Sequence, residues 1–118
     1  MRARLLALGL LVSFGCSSDP TENTPAPTSD VKIVADAATK GAAAYDPNPF
    51  TISLATQTTV KWANIDGIAH TVTADDASFT SANIGKNGSF SHQFITPGTY
   101  GYHCSIHPSM VGTIEVTP

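Results

Sequence analysis

The sequence contains few basic residues and few cysteines, and each shortage excludes a class of protein. Six Lys and Arg stand against nine Asp and Glu, which gives a formal net charge of −3 over 118 residues. The chain therefore lacks the basic patch with which proteins bind nucleic-acid phosphates, and we expect no nucleic-acid partner. Only two cysteines are present, so the protein is not a small fold held together by several disulfides.

Leucine is almost absent outside the first eleven positions, where five of the six leucines lie. This apolar run follows Arg2 and Arg4 and continues to about Gly15. A charged start followed by such a run is typical of a secretory signal, and the run is about half as long as a membrane span. We therefore predict a signal peptide over residues 1–15 and export of the rest of the chain. A transmembrane helix is the less favoured alternative.

A cysteine follows the apolar run directly, in the segment Ser13-Phe14-Gly15-Cys16. The segment resembles a bacterial lipoprotein signal, in which Cys16 would become the lipidated first residue after cleavage. The small Gly15 fits this pattern, whereas Ser13 stands where a Leu is usual. We predict an exported, membrane-anchored lipoprotein of the periplasm or cell envelope. The alternative is ordinary signal cleavage after Gly15, which would leave a soluble protein.

The stretch after the cysteine has a composition that disfavours folding. Residues 17–30 include three prolines and no strong hydrophobe, so they cannot bury enough apolar surface to offset the entropy lost on ordering. We predict a disordered tether over residues 16–30, with membrane contact only through the lipid on Cys16. The folded domain then spans residues 31–118, with four Lys against six acidic residues.

The rest of the chain shows the pattern of an all-β domain. No stretch keeps a 3.6-residue apolar period over the length of a helix, whereas short alternating runs are frequent. Turn signals such as Asp66-Gly67, Asn87-Gly88 and Pro97-Gly98 separate these runs. The pattern favours a β-sandwich or a small barrel. We predict strands near residues 31–35, 50–54, 58–64, 70–74, 89–95, 99–104 and 111–117.

Four residues with metal-binding side chains are placed together by this strand pattern. Cys104, His107 and Met110 form a Cys-x2-His-x2-Met loop between the last two predicted strands, and His70 begins the fourth. Strand alternation puts His70, Cys104 and Met110 on the core-facing side at strand ends. A thiolate, two imidazoles and a thioether are the ligands of a blue-copper site, with Met as the weak axial ligand. Zinc is less favoured, because structural zinc sites rarely use Met.

The segments around these residues resemble the cupredoxins, in particular the plastocyanin and amicyanin group. The similarity spans residues 45–116 and rests on the segments Val60-Lys61-Trp62-Ala63-Asn64, His70-Thr71-Val72 and Thr96-Pro97-Gly98-Thr99-Tyr100-Gly101-Tyr102-His103-Cys104. The short loop from Cys104 to Met110, with Pro108 after His107, is most similar to that of amicyanin. The resemblance implies a Greek-key β-sandwich of about seven to eight strands.

The same resemblance implies one type 1 copper ion that cycles between Cu(I) and Cu(II). Its ligands would be His70, Cys104, His107 and Met110. Two positions depart from the family pattern and bear on loop rigidity and reduction potential. Ala69 stands where many relatives have Pro, and Thr71 stands where plastocyanins have an Asn that helps to tie the two ligand loops together.

This ligand set predicts a carrier of single electrons in the cell envelope rather than an enzyme. Copper oxidases and nitrite reductases need a second copper site built from further histidines, and only His92 and His103 remain. His92 shares a side of its strand with Phe90 and Phe94, so we expect it to be partly buried. His103 points away from the side that carries Cys104, so we expect it at the surface.

The expected partners are redox proteins such as c-type cytochromes. They would dock on apolar residues around the edge of His107, chiefly Ile106 and Pro108. Brief redox encounters use small interfaces that suit such a patch, and we expect the protein to be a monomer. Two other classes stay open. One is a copper carrier or storage module without a redox role, and the other is a structural or adhesive β-sandwich that does not use the ligand set.

Overall fold

The computed structural model describes residues 28–118, which form eight strands and two short 3-10 helices. The predicted signal peptide over residues 1–15, and most of the predicted tether with Cys16, lie outside the described residues. The helices are Ala37–Thr39 and Gly41–Ala43, and neither is long and apolar enough to cross a membrane. The strands, numbered in chain order, are β1 Val31–Ile33, β2 Tyr45–Asp46, β3 Phe50–Ser53, β4 Thr59–Asn64, β5 Thr73–Ala74, β6 Ser89–Gln93, β7 Gly98–His103 and β8 Val111–Thr117.

The strands form two four-stranded sheets, in the orders β2-β1-β4-β6 and β3-β8-β7-β5. β1 is parallel to β4 and β3 is parallel to β8, while the other neighbours are antiparallel. This arrangement confirms the predicted all-β sandwich of seven to eight strands. The strand that the sequence pattern missed is β2, whose two residues are too few to show an alternating pattern.

The core between the sheets is built around Trp62 of β4, which is fully buried. Its ring centroid lies 5.5 Å from that of Tyr102, 5.7 Å from that of Phe90 and 6.2 Å from that of Phe79. Alternate residues of β8 are buried, as strand parity predicts. Both sheets therefore contribute side chains to one apolar core, and the aromatic rings fill most of its width.

The predicted strand over residues 70–74 is wrong at its beginning, because only Thr73–Ala74 belongs to a sheet. His70 forms an isolated bridge with Ile84, through backbone hydrogen bonds of 3.1 and 2.8 Å. The N–H of Val72 donates to the Ser81 hydroxyl (2.9 Å), and its carbonyl accepts from the Ser81 N–H (2.8 Å). This segment therefore pairs with the loop before β6 instead of with a neighbouring strand.

One end of the sandwich brings two loops together. β7 and β8 are adjacent and antiparallel, with His103 paired to Val111, so residues 104–110 form a closed loop between them. The Cys104 N–H donates to the Met110 carbonyl (3.1 Å) and closes the base of this loop. The other loop runs from the end of β4 to His70. The long-range strand pairing thus positions both predicted ligand segments at the same edge.

Candidate metal centre

Three of the four predicted ligands converge in space. The Cys104 sulfur lies 3.9 Å from the Nδ1 atom of His70 and 3.8 Å from the Nδ1 atom of His107. The ligand atoms of these three residues all lie within 4.8 Å of one another. Among the described residues, this is the one cluster of three or more His, Cys, Asp or Glu side chains that could hold a metal ion.

Met110, the fourth predicted ligand, lies in the same closed loop. Its side chain is fully buried, and its backbone N–H donates to the His107 carbonyl (2.9 Å). Its own carbonyl accepts from the Cys104 N–H. These hydrogen bonds thus fix the backbone of Cys104, His107 and Met110 in one compact loop. A soft sulfur pair with two imidazole nitrogens suits copper in both of its common oxidation states.

The two histidines differ in their exposure to solvent. His70 and Cys104 are fully buried, whereas His107 is partly exposed. The two imidazole ring centroids lie 5.0 Å apart with an angle of 56° between the ring planes. His70 and Cys104 are therefore closed off from solvent, and His107 is the member of the cluster that reaches the surface.

Thr71 ties the two ligand loops together. Its backbone N–H donates to the Cys104 sulfur (3.3 Å), and its hydroxyl oxygen accepts from the Ser105 N–H (2.8 Å). The same hydroxyl lies 3.1 Å from the Ser105 hydroxyl and 3.0 Å from that of Thr73. These contacts join residue 71 to Cys104 and Ser105, the first two residues of the other loop. The threonine therefore makes the link that the resemblance assigned to an Asn in plastocyanins.

A buried carboxylate holds the far side of His70. The Nε2 atom of that ring lies 2.7 Å from the Asp66 Oδ2 atom. The hydrogen bond from His70 lowers the pKa of the Asp66 carboxyl below its usual value, and the Asp36 and Gly67 N–H groups lower it further, although desolvation opposes them. From its sequence, Asp66-Gly67 is predicted only as a turn. The signal that could have found this role is the acidic side chain four residues before a predicted ligand.

The remaining two histidines lie outside the cluster. His92 stacks on Phe79, with ring centroids 4.4 Å apart, and burial lowers the pKa of its imidazole. The Nδ1 atom of His103 lies 2.6 Å from a carboxylate oxygen of Asp75 on the surface. The structure thus places His92 partly in the core and His103 towards solvent, as the strand pattern predicts.

Comparison with known proteins gives one consistent set of relatives. The family model for the cupredoxin-like domain matches residues 5–116. A plastocyanin from Scenedesmus fuscus is 35% identical over 99 residues, which cover 73% of this chain and 96% of that protein. An amicyanin from Paracoccus denitrificans is 33% identical over 63 residues, 49% of this chain and 48% of that protein.

A solved structure supports the same relationship. The structure of a purple cupredoxin from Nitrosopumilus maritimus is similar to this one with a TM-score of 0.67 and 29% sequence identity. The match covers 76% of this chain and all of that chain. The family model therefore includes all four predicted ligands, and the similarity in fold agrees with that family.

Replacing Thr71 by Val should weaken the contact between the two loops. The variant keeps the shape of the side chain but leaves the Ser105 N–H without its acceptor, so the free energy of unfolding should fall by about 1–3 kcal/mol. Urea denaturation of the metal-free protein measures this change. Thr99→Val, the same change at an exposed strand position, should stay within about 0.5 kcal/mol of the parent. Equal stability of the two variants would contradict the role given to Thr71.

Proposed function

The chain belongs to the cupredoxin family, whose members bind one copper ion, and we propose that it carries single electrons between redox partners in the cell envelope. The observation that carries this proposal is the convergence of one thiol and two imidazole Nδ1 atoms within 4.8 Å, with a buried Met in the same loop. Cupredoxin folds also occur within larger copper enzymes. Our proposal is that this chain acts as a carrier and not as an enzyme.

We assign the copper ligands residue by residue. His70 and His107 would bind through their Nδ1 atoms, Cys104 through its thiolate, and Met110 through its thioether in the weak axial position. Bound copper supplies a one-electron couple between Cu(II) and Cu(I). The chain contributes the geometry, because the Thr71 contacts and the closed 104–110 loop hold the donors in one arrangement that either oxidation state can use.

The exposed edge of His107 is the proposed exit for the electron. Isoleucine side chains lie exposed in the two loops that form this end of the sandwich, and Ile68 and Ile106 are exposed by 50% and 44%. Pro108 is exposed beside them. An apolar patch of this kind suits the small, weak interfaces of redox encounters. We propose that partners such as c-type cytochromes dock there.

Addition of Cu(II) to the purified metal-free protein tests the proposed site. We expect one equivalent to bind with an intense blue thiolate-to-copper band and reversible voltammetry. Cys104→Ser should abolish the band, because no thiolate remains to donate charge. His92→Gln and His103→Gln are the matched controls, and both should keep it.

Three results of that titration would contradict the proposal. Binding of Cu(I) without a stable coloured Cu(II) state would favour a copper carrier or storage role. No binding at all would favour a structural β-sandwich. A band that is lost equally in the His92→Gln or His103→Gln variant would overturn the ligand assignment.

Ile106→Lys tests the docking surface. A lysine beside His107 should slow electron exchange with a c-type cytochrome by about tenfold, the effect of roughly 1.4 kcal/mol on the encounter complex. The blue spectrum should not change, because Ile106 offers no ligand atom. Ile95→Lys is the control, since Ile95 is 80% exposed and lies before the opposite end of β7. Equal rates for the two variants, measured by stopped flow at one ionic strength, would contradict docking at this end.

The cell-envelope setting is the part of the proposal that rests on the first thirty residues. We propose a signal peptide over residues 1–15, a lipid on Cys16 and a tether over residues 16–30 that holds the domain over residues 31–118 near a membrane. The apolar run, the Gly15-Cys16 pair and the proline-rich stretch after it support this assignment.

Expression of the full chain in a bacterium tests the lipid anchor. The protein should appear in the membrane fraction with the mass of a chain that begins at a lipidated Cys16. Cys16→Ala should lose both the lipid and the membrane association, whereas Cys104→Ala should keep both. A soluble chain that begins at an unmodified Cys16 would instead support ordinary signal cleavage.

A further inference from the structure

His70 makes a hydrogen bond that neither the proposed ligand set nor the docking surface uses. Its Nε2 atom lies 2.7 Å from Asp66 Oδ2, on the side of the ring opposite to the Nδ1 atom that faces Cys104. The imidazole is fully buried, and Asp66 is only 8% exposed. A carboxylate in this position is a strong, charge-assisted acceptor.

The other atoms of Asp66 are also held in place. Its Oδ1 atom accepts from the backbone N–H groups of Asp36 (3.1 Å) and Gly67 (2.8 Å). Its own N–H donates to the Asn64 side-chain oxygen (2.8 Å). Both carboxylate oxygens therefore act as acceptors, and the backbone of two separate segments sets their direction.

This arrangement decides which nitrogen of His70 carries the hydrogen. An ionised carboxylate can only accept, so the Nε2 atom donates to Asp66, and the Nδ1 atom, 3.9 Å from the Cys104 sulfur, is the nitrogen left to bind a metal. Metal-binding histidines in proteins commonly donate their second N–H to such a partner, which also makes the imidazole more basic.

We propose that Asp66 is a positioning residue of this centre, which fixes the His70 tautomer and, through its negative charge, favours Cu(II) over Cu(I). The inference rests on the proposed copper function. A negative charge stabilises the more positive oxidation state more strongly, so the carboxylate lowers the reduction potential. Removing the negative charge of Asp66 should therefore raise the reduction potential.

The surroundings of Asp66 provide a control for its charge. Asp66 borders an open cavity of about 390 Å³ that Asp36, Thr39, Lys40 and Ile68 also line. The Asp36 carboxylate carries the same charge beside the same cavity, but only the backbone of Asp36 contacts Asp66. Asp36 has a φ of 60°, a conformation that Asn adopts readily, so Asp36→Asn should keep the fold.

Asp66→Asn is the test, because an amide has one acceptor oxygen where the carboxylate has two. If that oxygen faces the Asp36 and Gly67 N–H groups, the amide NH2 faces His70 and favours the tautomer with its hydrogen on Nδ1. We expect ring ¹⁵N NMR of the metal-free variant to show loss of the Nε2–H form of His70. The same spectrum of the unchanged protein should show that form.

The reduction potential is the second measurement. Loss of a partner of this kind typically changes metal affinity by about 10–100-fold. We expect the ratio of Cu(II) to Cu(I) affinity to fall by about tenfold in Asp66→Asn, which corresponds to a rise in potential of about 59 mV. Asp36→Asn should keep the His70 tautomer and shift the potential much less.

Each outcome decides the proposal. An unchanged tautomer and potential in a folded Asp66→Asn variant would overturn it, and so would equal shifts in the two Asn variants. If Asp66→Asn does not fold, an Nδ1–H tautomer in the unchanged metal-free protein would still overturn it, and an Nε2–H tautomer would support it. If the unchanged protein binds no copper, the proposed function fails together with the effect on the potential, while the NMR result still decides the tautomer.

Discussion

The loop that contains His70 and the loop over residues 104–110 meet at one end of the sandwich. Hydrogen bonds between them keep the buried Cys104 thiol and the buried His70 imidazole close to the imidazole of His107. Thr71 connects the loops through both its backbone and its hydroxyl. A third contact comes from the core, where the Tyr45 hydroxyl donates to the Thr71 carbonyl (2.6 Å). Burial raises the pKa of the Tyr45 phenol, so it remains a donor. The shape of the site thus depends on these polar contacts as well as on the apolar core in which Cys104 and Met110 are buried.

Burying polar groups at this end of the sandwich lowers the stability of the fold unless each group has a hydrogen-bond partner. Asn64 is fully buried, and its side-chain N–H2 group donates to the Ile68 and Ile84 carbonyls at 2.8 Å each. Its oxygen accepts from Asp66. One asparagine therefore shapes the turn before His70, joins it to the segment before β6 and supports the carboxylate that contacts the imidazole. Removing the Asn64 side chain would leave the Ile68 carbonyl and the Asp66 N–H without these hydrogen bonds, so this one residue is costly to replace.

The sequence was sufficient to predict features that depend on local spacing. The strands with clear alternation, such as β4 and β8, and the Cys104 to Met110 loop fall in this class. The role of Thr71 could not be predicted from local spacing, because it depends on hydrogen bonds to Cys104 and Ser105, more than 30 positions away. Asp66 lies only four positions before His70, so its contact with the imidazole had a local signal, whereas the Asp36 N–H that helps to hold it did not. The break in the predicted strand over residues 70–74 has the same origin. Its β-like sequence pairs with the loop at Ile84, and no local pattern shows which partner a strand will choose.

The two histidines of the cluster separate two physical tasks. His70 is buried and bonded to a carboxylate, so its surroundings set how the site holds charge. His107 is partly exposed and lies in the seven-residue loop 104–110. Backbone hydrogen bonds from Cys104 to Met110 and from Met110 to His107 close this loop. A change at the exposed Ile106 or Pro108 would leave the buried contacts of His70 intact. Because the contacts that we propose to tune the potential are buried and the residues that we propose for docking are exposed, each set can vary in sequence without disturbing the other.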